Sequence, residues 1–208
     1  MGTLKKIMCS PLVIGAMITF NNVYSQDAVQ QDAFNNSYAL EYKGEYAKAV
    51  EAIKKGYDEK SYECNLRSGW LNYEAGLYTE SQNYYKKAIV LNPKSLEAKF
   101  GYIYPTVALG NMDQVLVQYN KILEIDPQNT TANYRMGLYY YDKKDYQSAF
   151  KYFEKVVNLY PFGYDALLMY AWANYQLGKT KDAKVLFNKA LLLSPTSKSA
   201  LEGLSLIK

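Results

Sequence analysis

The sequence predicts an all-α solenoid, a stack of helical hairpins instead of one closed core. The prediction rests on a fixed spacing, because a proline recurs every 34 residues at Pro93, Pro127, Pro161 and Pro195. A period between about 20 and 50 residues is typical of stacked supersecondary units. Two amphipathic segments precede each proline, which cannot continue the second helix. We therefore expect two-helix hairpins that bury their apolar faces against their neighbours.

The prolines also set the boundaries of the repeats. Counting back from them gives four full repeats at 62–95, 96–129, 130–163 and 164–197. A shorter repeat at 30–61 precedes them, and residues 198–208 after them have one apolar face without a second helix. Atypical end repeats are usual in solenoids, so we interpret 198–208 as a C-terminal capping helix. The solenoid is predicted over residues 26–208, as five hairpins and one cap.

Small residues and glycines fit the geometry of a hairpin. Gly137 and Ala149, like Ala171 and Ala183, are small at positions where the two helices of one repeat would approach each other. Glycine also recurs where the first helix should end, at Gly44, Gly76, Gly110 and Gly178. Positive φ is readily adopted by glycine, so we predict positive φ at these turns.

This pattern resembles the tetratricopeptide repeat, a 34-residue hairpin with small residues at positions 8, 20 and 27, an aromatic at 24 and proline at 32. The repeat at 164–197 carries it best, with Ala171, Gly178, Ala183, Phe187, Ala190, Leu191 and Pro195. The resemblance covers roughly residues 30–208 and implies a right-handed α-solenoid. Because this architecture carries many activities, function has to be argued from its surface.

The repeat at 96–129 departs from the pattern. Ile103 and Val115 stand where small residues are expected, and Pro105 falls inside the first helix. An internal proline removes one hydrogen bond and clashes with the carbonyl four residues back, which here belongs to Gly101. We predict a bend near Gly101 and wider packing of the two helices in this repeat.

Residues 1–25 lie outside the repeats and predict a secretory signal peptide. Two lysines precede a mostly apolar stretch at 7–20, and small residues allow cleavage between Ser25 and Gln26. An N-terminal membrane anchor is the alternative, although the stretch is shorter than the roughly 20 residues of a spanning helix. Cys9 precedes this stretch instead of following it, which argues against lipidation. We expect export to the periplasm or secretion, without stable membrane insertion after cleavage.

The composition argues against catalysis. The chain has no histidine, which excludes Ser-His-Asp and Cys-His catalysis and removes the commonest general base and metal ligand. The sequence also has no glycine-rich phosphate loop, metal-ligand spacing or calcium loop. Its carboxylates are scattered over positions predicted to be solvated. We therefore expect no enzymatic activity, no cofactor and no metal site.

Charge and cysteine content narrow the possible partners. The chain has 24 lysines and arginines against 20 acidic residues, and lysines alternate with acids along the second helices. This arrangement indicates a solvated surface, so nucleic acid is not expected as a partner. Without Cys9, Cys64 is the only cysteine, and burial preference favours a small packed residue over a reactive thiol.

The resemblance also implies a binding surface. In the tetratricopeptide family, first-helix positions 2, 5, 9, 12 and 13 line a concave groove. Position 9 is often polar there, yet here it is large and apolar in every repeat, as Tyr38, Trp70, Tyr104, Leu138 and Trp172. Tyr134 at position 5 and Tyr73, Tyr141 and Tyr175 at position 12 add further aromatic rings. Such side chains are typical interface anchors, but they can equally pack against the adjoining first helix and stiffen the groove.

Two arginines occupy position 6 beside this groove. Arg67 and Arg135 are candidates for binding a carboxylate or phosphate through paired hydrogen bonds. The alternative for Arg67 is an ion pair with Glu63 on the same helix. The carboxylate grip of the chaperone-binding family members is not implied, because position 5 is apolar and position 9 is bulky here.

We therefore predict a protein–protein interaction scaffold that binds a partner segment in a concave aromatic groove, for a cell-envelope or secretion assembly. A glycan- or peptidoglycan-binding module that uses the same aromatic rings is the alternative. Self-association through the open ends of the solenoid is also possible.

Overall fold

The structure is a computed structural model that describes the backbone of residues 11–207 and the side chains of residues 27–207. The described residues form eleven helices and no strand. They divide into two compact units, one within residues 1–111 and one within residues 112–208, and each is described by itself. Their helical content confirms the predicted all-α solenoid.

The N-terminal unit holds the first five helices. They are α1 (Pro11–Tyr42), α2 (Tyr46–Lys54), α3 (Tyr62–Glu74), α4 (Tyr78–Leu91) and α5 (Leu96–Ala108). Helices α1 and α2 form one hairpin, and α3 and α4 form the next. Helix α5 packs against both α3 and α4, so the first helices of consecutive repeats lie side by side.

The C-terminal unit holds the remaining six. They are α6 (Met112–Ile125), α7 (Thr130–Asp142), α8 (Tyr146–Leu159), α9 (Tyr164–Gln176), α10 (Thr180–Leu193) and α11 (Lys198–Ser205). Helices α7 and α8, and α9 and α10, form hairpins, and α11 packs on α9 and α10 as a single helix.

Most first helices begin at a side-chain cap. Ser61, Ser95, Asn129 and Ser197 precede α3, α5, α7 and α11, and the side chain of each accepts a hydrogen bond from a backbone N–H in the first turn. Such a bond satisfies one of the donors that a helix N-terminus leaves unpaired. The loop that ends one repeat therefore fixes the start of the next helix.

The turn inside each hairpin uses positive φ. Gly44, Gly76, Gly110 and Gly178 have φ of 72°, 76°, 73° and 74°. The prediction for these four glycines is confirmed. The equivalent turn between α7 and α8 has a lysine instead, and Lys144 adopts a φ of 61°. A side chain at positive φ carries a conformational cost that glycine avoids.

An aromatic ring fills the space between consecutive first helices. Tyr85 of α4 lies between Gly69 of α3 and Gly101 of α5, and a Cβ at either glycine would come within 3.0 Å of the ring. Phe187 is placed in the same way against Gly203. Both rings are buried, and they fit only because the glycines that face them have no Cβ.

The packing of Tyr85 gives a second explanation for the glycine at position 101, besides the predicted bend. The sequence connects it with Pro105, whereas the structure also places the ring of Tyr85 against it. Helix α5 continues without a break from Leu96 to Ala108 with Pro105 inside it. The bend and the wider packing of the repeat stay predictions.

Helix α1 extends well beyond the predicted first repeat. It begins at Pro11 and passes through the proposed cleavage site after Ser25. Residues 1–10, with the two lysines and Cys9, lie outside the described residues. The signal peptide stays a prediction. In the described part of the chain, no helix has both the length and the apolar character that crossing a bilayer requires.

Candidate functional site

The candidate site is a cavity of about 570 Å³ in the N-terminal unit, lined mainly by α1, α3 and α5. Seven aromatic side chains line it: Phe34, Tyr38, Tyr62, Trp70, Tyr85, Phe100 and Tyr104. Most of them occupy positions 5 and 9 of three consecutive first helices. The repeat spacing, 32 residues from Tyr38 to Trp70 and 34 from Trp70 to Tyr104, therefore stacks equivalent residues into one surface, as the sequence predicts for a groove. From now on we call this surface the aromatic cavity.

Two rings of the aromatic cavity are open to solvent. Tyr38 is 55% exposed and Tyr104 is 50% exposed, whereas Trp70 is half-buried. Tyr73 connects these parts, since its ring centroid lies 6.0 Å from that of Trp70 and 5.6 Å from that of Tyr104. Half-exposed rings held by neighbouring rings form a stiff apolar surface that can contact a ligand with little loss of side-chain entropy.

An ionic junction between α1 and α3 adjoins the cavity, which Tyr38, Arg67 and Trp70 line. Nη1 of Arg67 lies 2.5 Å from Oε2 of Glu41, and the indole N–H of Trp70 donates to Oε1 of the same carboxylate at 2.5 Å. Nε of Arg67 donates to Oγ of Ser37 at 3.0 Å, and the guanidinium lies 3.7 Å from the ring centroid of Tyr38. Glu41 thus receives two charge-assisted or polar bonds from the next repeat, which fixes the two first helices against each other.

This junction corrects the expectation for Arg67. The sequence offered either a ligand carboxylate or an ion pair with Glu63, but the partner is Glu41 of the preceding repeat. Arg67 is only 7% exposed, and its Nη2 atom is buried without a hydrogen-bond partner. Its charge is therefore used inside the protein. Trp70 is likewise bonded within the unit, which agrees with the alternative that it stiffens the groove.

Two carboxylates stand at one rim of the aromatic cavity. Glu63 and Glu97 line it from the first turns of α3 and α5, and both side chains are exposed. The Tyr62 hydroxyl is 2.7 Å from Oγ of Ser95 and donates to Glu97 at 3.4 Å. Burial, together with the charge of Glu97, raises the pKa of Tyr62 above its ordinary value, so the phenol stays a neutral donor.

The other predicted site residues lie in the C-terminal unit, where most of them pack internally. Tyr134 packs on Phe153, with ring centroids 5.9 Å apart. Trp172 packs on Phe187, with ring centroids 5.0 Å apart. The indole N–H of Trp172 donates to Ser199 of α11 at 2.8 Å.

The remaining tyrosines of this unit have similar surroundings. Tyr141 packs on Tyr146, and Tyr175 packs on Trp172. Burial raises the pKa of Tyr134 and of Tyr141. Arg135 is exposed, unlike Arg67.

Cys64 is fully buried in α3, which agrees with a packed residue. Its Sγ accepts from the Gln30 amide at 2.9 Å and lies 3.7 Å from the Gly56 carbonyl oxygen. Among the described residues, no group of three or more His, Cys, Asp or Glu side chains is arranged to bind a metal.

Comparison with known proteins agrees with this architecture. Two profiles of the tetratricopeptide repeat match, one over residues 62–95 and one over residues 140–205. The chain carries tetratricopeptide repeats over these two ranges. It is 26% identical over 165 residues to the TPR repeat-containing protein YpiA of Bacillus subtilis, an alignment that covers 77% of this chain and 39% of YpiA. A TPR repeat-containing protein of Methanocaldococcus jannaschii is 27% identical, with 93% of this chain and 36% of the relative covered. The chain thus spans less than half the length of these two relatives.

Solved tetratricopeptide structures have the same fold. MamA superposes with a TM-score of 0.68 at 21% identity, over 80% of this chain and 92% of MamA. A tetratricopeptide repeat protein from Parabacteroides merdae gives 0.72 at 21% identity, over 86% and 72% of the two chains. YrrB, described as a TPR protein with an unusual peptide-binding site, gives 0.67 at 16% identity, over 89% and 97%. At these identities the likeness establishes the fold alone.

Sequence reasoning found part of the aromatic cavity and missed the rest. It named Tyr38, Arg67, Trp70 and Tyr104, which the structure brings together. It did not connect Glu41 with Arg67, because that contact joins different repeats. It also assigned no role to the acids at position 2 of the first helices. Their recurrence at Glu63 and Glu97 was the signal that a charged rim exists.

Proposed function

We propose that this chain is an exported scaffold that binds a segment of a partner protein in the aromatic cavity. The observation that carries the proposal is the exposure of Tyr38 and Tyr104 in the same cavity as Arg67 and Trp70, whose side chains are bonded to Glu41. Tyrosine and tryptophan in such places bury much apolar area and still offer a polar tip, which is the profile of residues that dominate interface energies.

The shape of the surface supports a peptide segment as ligand. The aromatic cavity crosses α1, α3 and α5, and equivalent residues repeat from one helix to the next. A periodic surface offers successive contacts to an extended chain, as in other repeat proteins. The peptide-binding site by which YrrB is described provides an example of such binding on the same fold.

The proposed location is the periplasm or the extracellular space, in an envelope or secretion assembly. The lysines, apolar stretch and small residues of segment 1–25 support export. A scaffold needs no catalytic activity, and tetratricopeptide repeat proteins are generally non-enzymatic scaffolds.

A glycan ligand is the second candidate, because the half-exposed rings of Tyr38 and Tyr104 could also stack on sugar rings. The two candidate functions can be separated by the ligand that the protein binds. A protein partner would be captured from an envelope extract, whereas a glycan-binding module would sediment with purified peptidoglycan.

The test compares two double variants in both assays. Tyr38→Ala/Tyr104→Ala removes the exposed rings of the aromatic cavity, and Tyr42→Ala/Tyr160→Ala removes two exposed rings elsewhere. We expect one or more envelope proteins to bind the wild type and the control but not the cavity variant, with no protein sedimenting with peptidoglycan. Equal capture by both variants would contradict the proposed site, and sedimentation that depends on Tyr38 and Tyr104 would favour the glycan reading.

A further inference from the structure

The charges around the aromatic cavity are unbalanced. Glu63 and Glu97 are its acidic lining residues, and Arg67 is the one basic residue among those that line it. The guanidinium of Arg67 is already matched by Glu41 at 2.5 Å. The two rim carboxylates are therefore left without a matching cation inside the cavity.

Neighbouring hydroxyl groups hold these carboxylates in place. The Ser61 hydroxyl donates to Oε2 of Glu63 at 3.0 Å, and the Tyr62 hydroxyl donates to Oε2 of Glu97 at 3.4 Å. Each acid also belongs to the first turn of a helix, where the helix dipole favours negative charge. Each carboxylate retains lone pairs that can accept hydrogen bonds from a ligand.

The aromatic rings that line the same cavity as the two acids suit a cation as well. Lysine and arginine side chains are attracted to the faces of tryptophan, tyrosine and phenylalanine. The same unit already shows this contact, since the Arg67 guanidinium lies 3.7 Å from the ring centroid of Tyr38. Tyr104 and Phe100 of α5 offer further rings to an incoming cation.

A carboxylate ligand fits this surface poorly. Arg67 is paired with Glu41 and is only 7% exposed, so a ligand carboxylate has little access to its guanidinium. Such a ligand would also enter past Glu63 and Glu97, and like charges brought together oppose binding.

We infer that the aromatic cavity takes a basic segment of a partner protein, in which a lysine or arginine lies between Glu63 and Glu97 and apolar neighbours contact Trp70 and Tyr104. This inference rests on the proposed function, because it specifies the chemistry of the segment that the scaffold binds. The two arginines suggested an acidic ligand at the sequence level, whereas the segment inferred from the structure is basic.

The experiment selects ligands from a displayed library of random heptapeptides, with the full chain as bait. Affinities of the selected peptides are then measured by fluorescence anisotropy at several salt concentrations. Glu63→Gln/Glu97→Gln removes the charges and keeps the shape of the rim. Glu59→Gln/Glu80→Gln is the matched control, because it removes two exposed acids of the same unit that do not line the aromatic cavity.

We expect the selected peptides to carry lysine or arginine next to apolar residues. The Glu63→Gln/Glu97→Gln variant should bind them about ten-fold more weakly and with a weaker salt dependence, while the control should bind as the wild type does.

Two other results would overturn the inference in distinguishable ways. Acidic or uncharged peptides whose binding is lost in Tyr38→Ala/Tyr104→Ala would refute the basic segment and leave the scaffold proposal standing. If no selected peptide depends on Tyr38 and Tyr104, the proposed function fails together with the inference.

Discussion

A β-carbon placed on Gly101 would lie 2.1 Å from Cε1 of Tyr85. Real Cβ atoms do not approach a ring so closely, so a glycine is required where this aromatic side chain crosses α5. On its other side the ring meets Gly69 of α3. Because α3 and α5 both line the aromatic cavity, the packing of Tyr85 sets the spacing of the helices that present its rings.

Gly101→Ala should therefore destabilise the protein. Alanine usually stabilises a helix by about 1 kcal/mol relative to glycine. At this position the overpacking against Tyr85 should outweigh that gain and lower the free energy of unfolding by about 2 kcal/mol. Urea denaturation measures the change. In a Tyr85→Leu background, which removes the ring, the same substitution should become neutral or stabilising, and an equal loss in both backgrounds would show that the ring is not the cause.

Lys144→Gly should stabilise the protein by about 1 kcal/mol. Lys144 has a φ of 61°, and a side chain in this region costs about 1–2 kcal/mol. Glycine removes this cost but loses part of the gain through its greater freedom in the unfolded chain. Thermal denaturation measures the effect. The control is Lys143→Gly, since Lys143 has an ordinary φ of −73° and should be slightly destabilised by glycine. A loss of stability in Lys144→Gly would contradict the account of this turn.

The two arginines should behave differently. Arg67→Ala leaves Glu41 without its cation and should lower the free energy of unfolding by about 2 kcal/mol or more. Arg135 is exposed, so Arg135→Ala should change stability by no more than about 0.5 kcal/mol. Denaturation curves of the two variants, recorded under the same conditions, give the comparison. Similar curves for both would mean that the junction of Arg67 and Glu41 adds little to stability.

Stability should fall at alkaline pH, partly because of Tyr85. Burial raises the pKa of this phenol well above the value near 10 of an exposed tyrosine. The folded state therefore keeps a proton that the unfolded state loses, and stability is complete below about pH 10 and declines as the pH rises beyond it.

Tyr85→Phe should make this decline shallower while leaving stability at pH 7 nearly unchanged, since phenylalanine fills the equivalent place at Phe187. Denaturation at pH 7 and at pH 11 tests this, with Tyr42→Phe, an exposed ring, as control. If Tyr85→Phe and Tyr42→Phe lose the same stability between the two pH values, the burial of Tyr85 does not cause the decline.

The parts of the fold that could be predicted from the sequence are those determined by local backbone geometry. Positive φ at Gly76 and Gly178 follows from where a helix must end, and the spacing of the prolines indicates the hairpins. Contacts between repeats were harder to predict. Glu41 meets Arg67 because α1 and α3 lie side by side, and no pattern within one repeat specifies that pair.

The same limit applies to the candidate site. Spacing alone could place Trp70 on the groove, but whether its ring faces a ligand or a neighbouring helix depends on which acceptor its N–H reaches. Gly101 likewise looked like an adjustment to Pro105, because the ring that packs on it comes from another helix.

The most direct test of a partner-binding aromatic cavity is site-specific photocrosslinking in the cells that produce the protein. A benzophenone amino acid is placed at Tyr104, on the cavity, or at Val90, which is 72% exposed and does not line it. A partner-binding cavity predicts a discrete crosslinked complex with a second protein from position 104 and none from position 90. A complex formed from position 90 and absent from position 104 would contradict it.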